Sequence, residues 1–93
     1  MDKGKIIVNR LLIIDDDVNL LKLLKNFFEN ENFEVQIAIN GHEGIDFIKK
    51  NPSDIVITDL FMSDMNGIEI IKQIKDIFPT THIIIISGEF NKD

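Results

Sequence analysis

The feature that most constrains the fold is a set of three short apolar runs, each ending abruptly at a side chain that carries oxygen. Residues 11–14 read LLII and precede three aspartates, residues 55–57 read IVI and lead to Asp59, and residues 83–86 read IIII and precede Ser87. Because these runs do not alternate with polar residues, they are typical of strands buried on both faces of a parallel sheet. Polar residues at the carboxyl ends of such strands lie where open α/β sheets bind their ligands.

The segments between these runs carry apolar residues at helical spacing. Asp17 or Asn19 can cap the first helix, and Pro52 and Pro79 close the second and third. Residues 33–39 form one more candidate strand. The expected apolar stripes are Leu20, Leu23, Leu24, Phe27 and Phe28 in the first helix, Gly44, Ile45 and Ile48 in the second, and Ile68, Ile71, Ile74 and Phe78 in the third.

Strands that alternate with helices predict right-handed βαβ units and a parallel sheet. We therefore expect an α/β fold with a doubly wound parallel sheet in the flavodoxin-like order 2-1-3-4. In that order the first and third strands are neighbours, and a crevice opens between their carboxyl ends.

This crevice would collect Asp15, Asp16, Asp59 and the hydroxyl group of Ser87. Carboxylates held within about 5 Å repel one another by roughly 3 kcal/mol per pair at an effective dielectric constant near 20, so protons or a cation must offset the repulsion. Oxygen ligands without histidine or cysteine favour Mg²⁺, which also accepts phosphate oxygens. A carboxylate beside Mg²⁺ is a competent nucleophile toward phosphorus.

The segments LLIIDDD, DIVITDLFMSDMNGIEI and HIIIISGE, spread from Arg10 to Glu89, resemble the receiver domain of two-component response regulators. The resemblance implies that Asp59 accepts a phosphoryl group and that Asp16 binds Mg²⁺ directly, with Asp15 acting mainly through water. It further implies that the backbone carbonyl of Phe61 completes the protein's ligands and that Ser87 follows the phosphoryl group.

The same resemblance implies a partner and a cellular role. The expected phosphodonor is a sensor histidine kinase or a phosphotransfer protein, and the expected location is the cytoplasm. The domain would not be an enzyme, beyond phosphorylating itself from small phosphodonors and dephosphorylating itself.

The chain departs from the family pattern after the fourth strand. A complete receiver adds a fourth helix, a fifth strand ending in lysine and a fifth helix, whereas this sequence ends at Asp93, and Lys92 does not match that lysine. We therefore expect impaired phosphorylation. We also expect homo-oligomers through an exposed fourth strand.

Composition sets the remaining limits. With 93 residues, no cysteine and a net charge of −6, the chain fits one small domain, with residues 1–9 as an extension and 90–93 as a tail. Its negative charge disfavours nucleic acid as a partner, and no segment is long enough to span a membrane.

Two alternatives remain open at this point. The first is a vestigial module for dimerisation or interaction, in which the acidic residues have lost their role. The second is an Asp-dependent phosphatase that uses Asp15 as nucleophile and Asp17 as acid and base. His42 stands without a second ligand at useful spacing, and we interpret it as a surface residue.

Overall fold

Strands and helices alternate through residues 9–86, the part of the chain that a computed structural model describes. Residues 1–8 and 87–93 lie outside the described residues, and with them Ser87, Lys92, the predicted tail and most of the predicted extension. In chain order the elements are β1 (Arg10–Ile14), α1 (Val18–Asn30), β2 (Glu34–Ala38), α2 (Gly41–Lys50), β3 (Ile55–Asp59), α3 (Gly67–Ile77) and β4 (His82–Ile86).

The four strands form one parallel sheet in the order β2-β1-β3-β4. This confirms the predicted doubly wound fold and its strand order. The chain moves to one side of β1 to form β2 and to the other side to form β3, so the sheet reverses its winding between β1 and β3. Such a reversal places a crevice at the carboxyl ends of these two strands.

The side chains of β1 explain why its sequence is apolar without interruption. Leu11 and Ile13 pack in one cluster with Leu21 of α1, whereas Leu12 and Ile14 pack in a second cluster with residues of α2 and α3. These four side chains are at most 2% exposed, and only Arg10 at the start of β1 is exposed. The strand is covered on both faces, as the sequence predicts.

The predicted apolar stripes of α1 and α3 are partly wrong. In α1, Leu23 is 65% exposed and Phe27 is 54% exposed, while Leu21 is fully buried. In α3, Ile68 is exposed and Ile70 is buried. Both helices carry enough apolar residues for two overlapping stripes, and packing against the sheet decides which one is buried. For α2, burial of Gly44, Ile45 and Ile48 confirms the predicted stripe.

The ends of the helices follow the local sequence. Asp17, Asn40 and Asn66 are the N-caps, and each side chain accepts a hydrogen bond from the backbone three residues later. The chain leaves α1 through Asn32, whose φ of 70° lies in the left-handed region that asparagine tolerates. None of the helices in residues 9–86 has the length and apolar character needed to cross a membrane.

Gly44 lets α2 approach the sheet closely. A Cβ atom at this position would lie 2.5 Å from Cδ1 and 2.8 Å from Cγ1 of Ile14. Since Ile14 is fully buried, it has little room to move away.

We predict that Gly44→Ala lowers the free energy of unfolding by about 1–3 kcal/mol, because overpacking outweighs the gain in helix propensity. Urea unfolding followed by circular dichroism measures this change. Asp46→Ala, at an exposed position of the same helix, is the matched control and should be neutral or slightly stabilising. A Gly44→Ala protein as stable as the control would contradict the close approach.

Candidate functional site

Three carboxylates meet at the carboxyl ends of β1 and β3. One carboxylate oxygen from each of Asp15, Asp16 and Asp59 lies within 4.8 Å of the other two. Asp15 is buried, Asp59 is half-buried and Asp16 is exposed, so the cluster opens to solvent on one side. The structure therefore brings together the three aspartates that the sequence predicts as metal ligands.

Asp15 is held from two directions. Its backbone N–H donates to the carbonyl oxygen of Ala38 at 3.0 Å, and its Oδ1 atom accepts a hydrogen bond from the backbone N–H of Asp17 at 2.8 Å. Burial raises the pKa of the Asp15 carboxyl group, against the opposing effect of that hydrogen bond. The negative charges of Asp59 and Asp16 raise it further. The folded protein therefore makes the ionised form of Asp15 costly in the absence of a cation.

Asp17 does not join this cluster, although it follows directly in sequence. Its Oδ1 atom accepts a hydrogen bond from the backbone N–H of Leu20 at 3.1 Å and caps α1. This is a structural role. It differs from the acid and base role that a phosphatase would need from Asp17.

Asp59 is the last residue of β3 and faces the crevice beside the loop that follows. Its Oδ1 atom accepts a hydrogen bond from the backbone N–H of Phe61 at 3.3 Å. The N–H group of Leu60 donates to the carbonyl oxygen of Ile86, so the end of β4 lies next to this position. The metal-binding role of the Phe61 carbonyl stays a prediction, and the Ser87 role falls outside the described residues.

The loop after β3 contains an aspartate that sequence reasoning missed. Asp64 accepts three hydrogen bonds from the first turn of α2. Its Oδ1 atom binds the N–H of Gly41 at 3.0 Å, and its Oδ2 atom binds the N–H and the Nδ1 atom of His42 at 3.0 and 2.6 Å. Partial burial alone would raise the pKa of Asp64, but these hydrogen bonds and the nearby imidazole lower it to about 2.

His42 was predicted to be a surface residue without a second ligand at useful spacing. The ring of His42 is indeed 75% exposed, but it is paired with Asp64. A usable signal existed in the predicted topology, because the end of β3 and the start of α2 both lie at the carboxyl edge of the sheet.

Comparison with known proteins identifies the family of this chain. A family model described as the response regulator receiver domain matches residues 11–93. The chain is 39% identical over 80 residues to the chemotaxis protein CheY of Thermotoga maritima. The alignment covers 85% of this chain and 67% of CheY. It is 34% identical over 82 residues to the response regulator ArlR of Staphylococcus saprophyticus. That alignment covers 88% of this chain and 37% of ArlR.

The fold is shared with solved structures as well. The response regulator TrrA of Thermotoga maritima, in a complex with Mg²⁺ and BeF, superposes with a TM-score of 0.82 at 28% identity, over 92% of this chain and 76% of that chain. The chain belongs to the receiver domain family of response regulators. Receiver domains are signalling modules and not classical enzymes. This chain spans little more than a third of the length of a relative such as ArlR.

The crowding of negative charge predicts the effect of Asp15→Asn. We expect this substitution to raise the free energy of unfolding by about 1–3 kcal/mol in EDTA at pH 7, because it removes one charge from the trio. The asparagine oxygen can still accept the hydrogen bond from Asp17. Urea unfolding provides the measurement.

Asp46→Asn is the matched control for the loss of one negative charge, since Asp46 is exposed on α2. We expect it to change stability by less than about 0.5 kcal/mol. Equal stability of Asp15→Asn and wild type in EDTA would contradict a repulsive cluster.

Proposed function

We propose that this domain accepts a phosphoryl group on Asp59, with Mg²⁺ bound by Asp15, Asp16 and Asp59. The observation that carries the proposal is the convergence of these three carboxylates to within 4.8 Å at the point where the sheet reverses its winding. Membership of the receiver family supports the same role.

The residues present fit Mg²⁺. The cluster offers only oxygen ligands, which hard divalent cations prefer, and its open side leaves room for water and phosphate oxygens. The raised pKa of Asp15 is consistent with this fit, because burial first and the neighbouring carboxylates second make its ionised form costly, and a bound cation would offset both effects. The complex of TrrA with Mg²⁺ and BeF also supports it. The backbone carbonyl of Phe61 would be a further ligand, and Asp15 would act mainly through water.

In the proposed transfer, a carboxylate oxygen of Asp59 attacks the phosphorus atom of a phosphohistidine and forms a new P–O bond. The bond from phosphorus to the imidazole nitrogen breaks, and that nitrogen keeps the electron pair. Bound Mg²⁺ would supply charge neutralisation for the phosphoryl oxygens. Ser87 would donate a hydrogen bond to the transferred group.

The proposed partner is a sensor histidine kinase or a phosphotransfer protein in the cytoplasm. Three exposed apolar residues support docking at this edge: Val18 follows Asp17, Ile39 follows β2 and Phe61 follows β3. Ile39 comes directly after the end of β2, Phe61 comes two residues after the end of β3, and Val18 comes four residues after the end of β1. The buried core of a protein interface is richer in apolar and aromatic residues than its rim, and exposed apolar side chains such as these can supply such a core.

We predict that incubation with acetyl phosphate and Mg²⁺ adds one phosphoryl group to the chain, with release of acetate. Intact mass spectrometry detects the group, and Asp59→Asn should abolish it. Asp76→Asn, an exposed charge on α3, is the matched control and should be phosphorylated like wild type. For a polypeptide limited to residues 1–93 we expect slow phosphorylation, because its sequence lacks the lysine motif expected above.

The outcomes separate the three functions. An adduct that requires Asp59 supports the receiver role. Hydrolysis of a phosphoester that survives Asp59→Asn would support a phosphatase. No adduct and no effect of Mg²⁺ on the melting temperature would support a vestigial module.

We also propose that a polypeptide limited to residues 1–93 self-associates through β4. Within residues 9–86, β4 pairs only with β3, and Ile84 and Ile85 are about half exposed. An apolar strand edge recruits further strands, and lysine on such an edge prevents it.

Sedimentation velocity over a range of concentrations tests this proposal, with dimers or larger species expected for wild type. Ile84→Lys should shift the protein to monomer. Ile68→Lys, at a similarly exposed isoleucine of α3, is the matched control and should not. A wild-type monomer at every concentration would overturn the proposal.

A further inference from the structure

The loop of residues 60–66 carries the predicted carbonyl ligand and is closed at its base. The N–H of Gly67 donates to the carbonyl oxygen of Leu60 at 2.8 Å, which joins the first residue of the loop to the first residue of α3. Gly67 makes this closure possible, because a Cβ atom there would lie 2.9 Å from the carbonyl oxygen of Asp59 and from Cα of Leu60. The base of the loop is therefore fixed against β3.

The far side of the loop is fixed to α2 by Asp64. The first four N–H groups of a helix have no partner within the helix. In α2, Asp64 accepts from Gly41 and His42, and Asn40 accepts from Glu43 through its side chain and from Gly44 through its backbone. Asp64 thus satisfies two backbone N–H groups of α2 that have no acceptor within the helix.

Apolar packing adds to this attachment. A Cβ atom at Gly41 would lie 2.6 Å from Sδ of Met65, so the residue after Asp64 rests directly on the start of α2. Since α2 is itself seated closely on Ile14 through Gly44, the loop is connected to the central strand of the sheet by a short chain of contacts.

We propose that Asp64 is a positioning residue for the metal site. By fixing the loop to the first turn of α2, it sets the place of Phe61 next to Asp59 and thereby raises the affinity for Mg²⁺. This inference rests on the proposed function. Asp64 touches neither the metal nor the phosphoryl group in this proposal and acts only through the loop backbone.

The contacts predict which parts of the attachment matter. The two backbone N–H groups are donors that α2 needs to satisfy, and the negative charge of Asp64 is favourable at a helix N-terminus. The pair with the exposed His42 ring contributes little by comparison, because exposed ion pairs are weak. The backbone hydrogen bonds should therefore carry the positioning.

The test is the dissociation constant for Mg²⁺, measured by calorimetric titration of the full 93-residue chain at a temperature where every variant is folded. We expect Asp64→Ala to weaken binding about tenfold, the low end of the losses found when groups that orient metal ligands are removed. Asp64→Asn keeps one acceptor oxygen but turns an N–H donor toward the helix, and we expect about threefold. His42→Ala and the charge-matched control Asp46→Asn should stay within about twofold.

A second readout follows the loop itself. Amide hydrogen exchange without Mg²⁺ should become faster at residues 60–66 in Asp64→Ala, and it should be unchanged in Asp46→Asn. A purely structural role would lower the melting temperature without changing the Mg²⁺ dissociation constant of the folded protein. If Asp64→Ala does not fold, Asp64→Asn carries both measurements.

The outcomes distinguish this inference from the proposed function. If wild type does not bind Mg²⁺, the proposed function fails, and the positioning role fails with it. If wild type binds Mg²⁺ and both Asp64 variants bind it within twofold of wild type, the receiver role stands and the positioning role is overturned. If His42→Ala weakens Mg²⁺ binding as much as Asp64→Ala does, the backbone hydrogen bonds are not what carries the positioning, and that part of the inference is overturned.

Discussion

The parallel pairing of β1 with β3 is the constraint on which the rest of the structure depends. Ile14 is paired with Thr58, so the next residues in register are Asp15 and Asp59. A shift of one residue would turn every side chain of one strand to the opposite face and would break the packing of Leu11 and Ile13 in one cluster and of Leu12 and Ile14 in the other. Burial of β1 on both faces thus fixes the register, and the register brings the carboxylates together.

At the carboxyl ends of β1 and β3, interactions that stabilise the fold lie next to interactions that destabilise it. Burial of apolar residues from β1 and β3 stabilises the sheet, while repulsion among Asp15, Asp16 and Asp59 opposes it. Each close pair costs on the order of 1–3 kcal/mol at an effective dielectric constant of 20 or higher, which is a large part of the net stability of a domain this small. Sites with this kind of unbalanced charge occur where a ligand supplies the missing charge.

The sequence was sufficient for those features that depend on chain order and pattern. The unbroken runs at residues 11–14 and 55–57 predicted buried parallel strands, and with the alternation of elements they predicted the strand order and the meeting of Asp15, Asp16 and Asp59. Those predictions depend on the period of side chains along a strand and on the handedness of βαβ units, which vary little among proteins.

The predictions that failed depend on the rotation of a helix about its own axis or on contacts between residues far apart in the sequence. In the predicted stripe of α1, Leu24 and Phe28 do pack against the core, whereas Leu23 and Phe27 are exposed. The helix has apolar residues on two overlapping faces, and only packing against Leu11 and Ile13 selects Leu21. Asp64 was missed for a related reason. Its partners lie more than twenty residues earlier in the chain, and a turn-forming residue offers no local sign of a contact at that separation.

Two aspartates at the same edge of the sheet illustrate how surroundings assign different roles to one residue type. Asp15 is buried and also faces other carboxylates, and both effects raise its pKa. Asp64 faces the N–H groups of a helix end, and its pKa is lowered to about 2. The charge of Asp64 is already balanced within the protein, so it has no need of a cation and can serve as an anchor. The charge of Asp15 is not balanced within the described residues, and this is the physical reason that the cluster, and not the loop, is where an external cation would be bound.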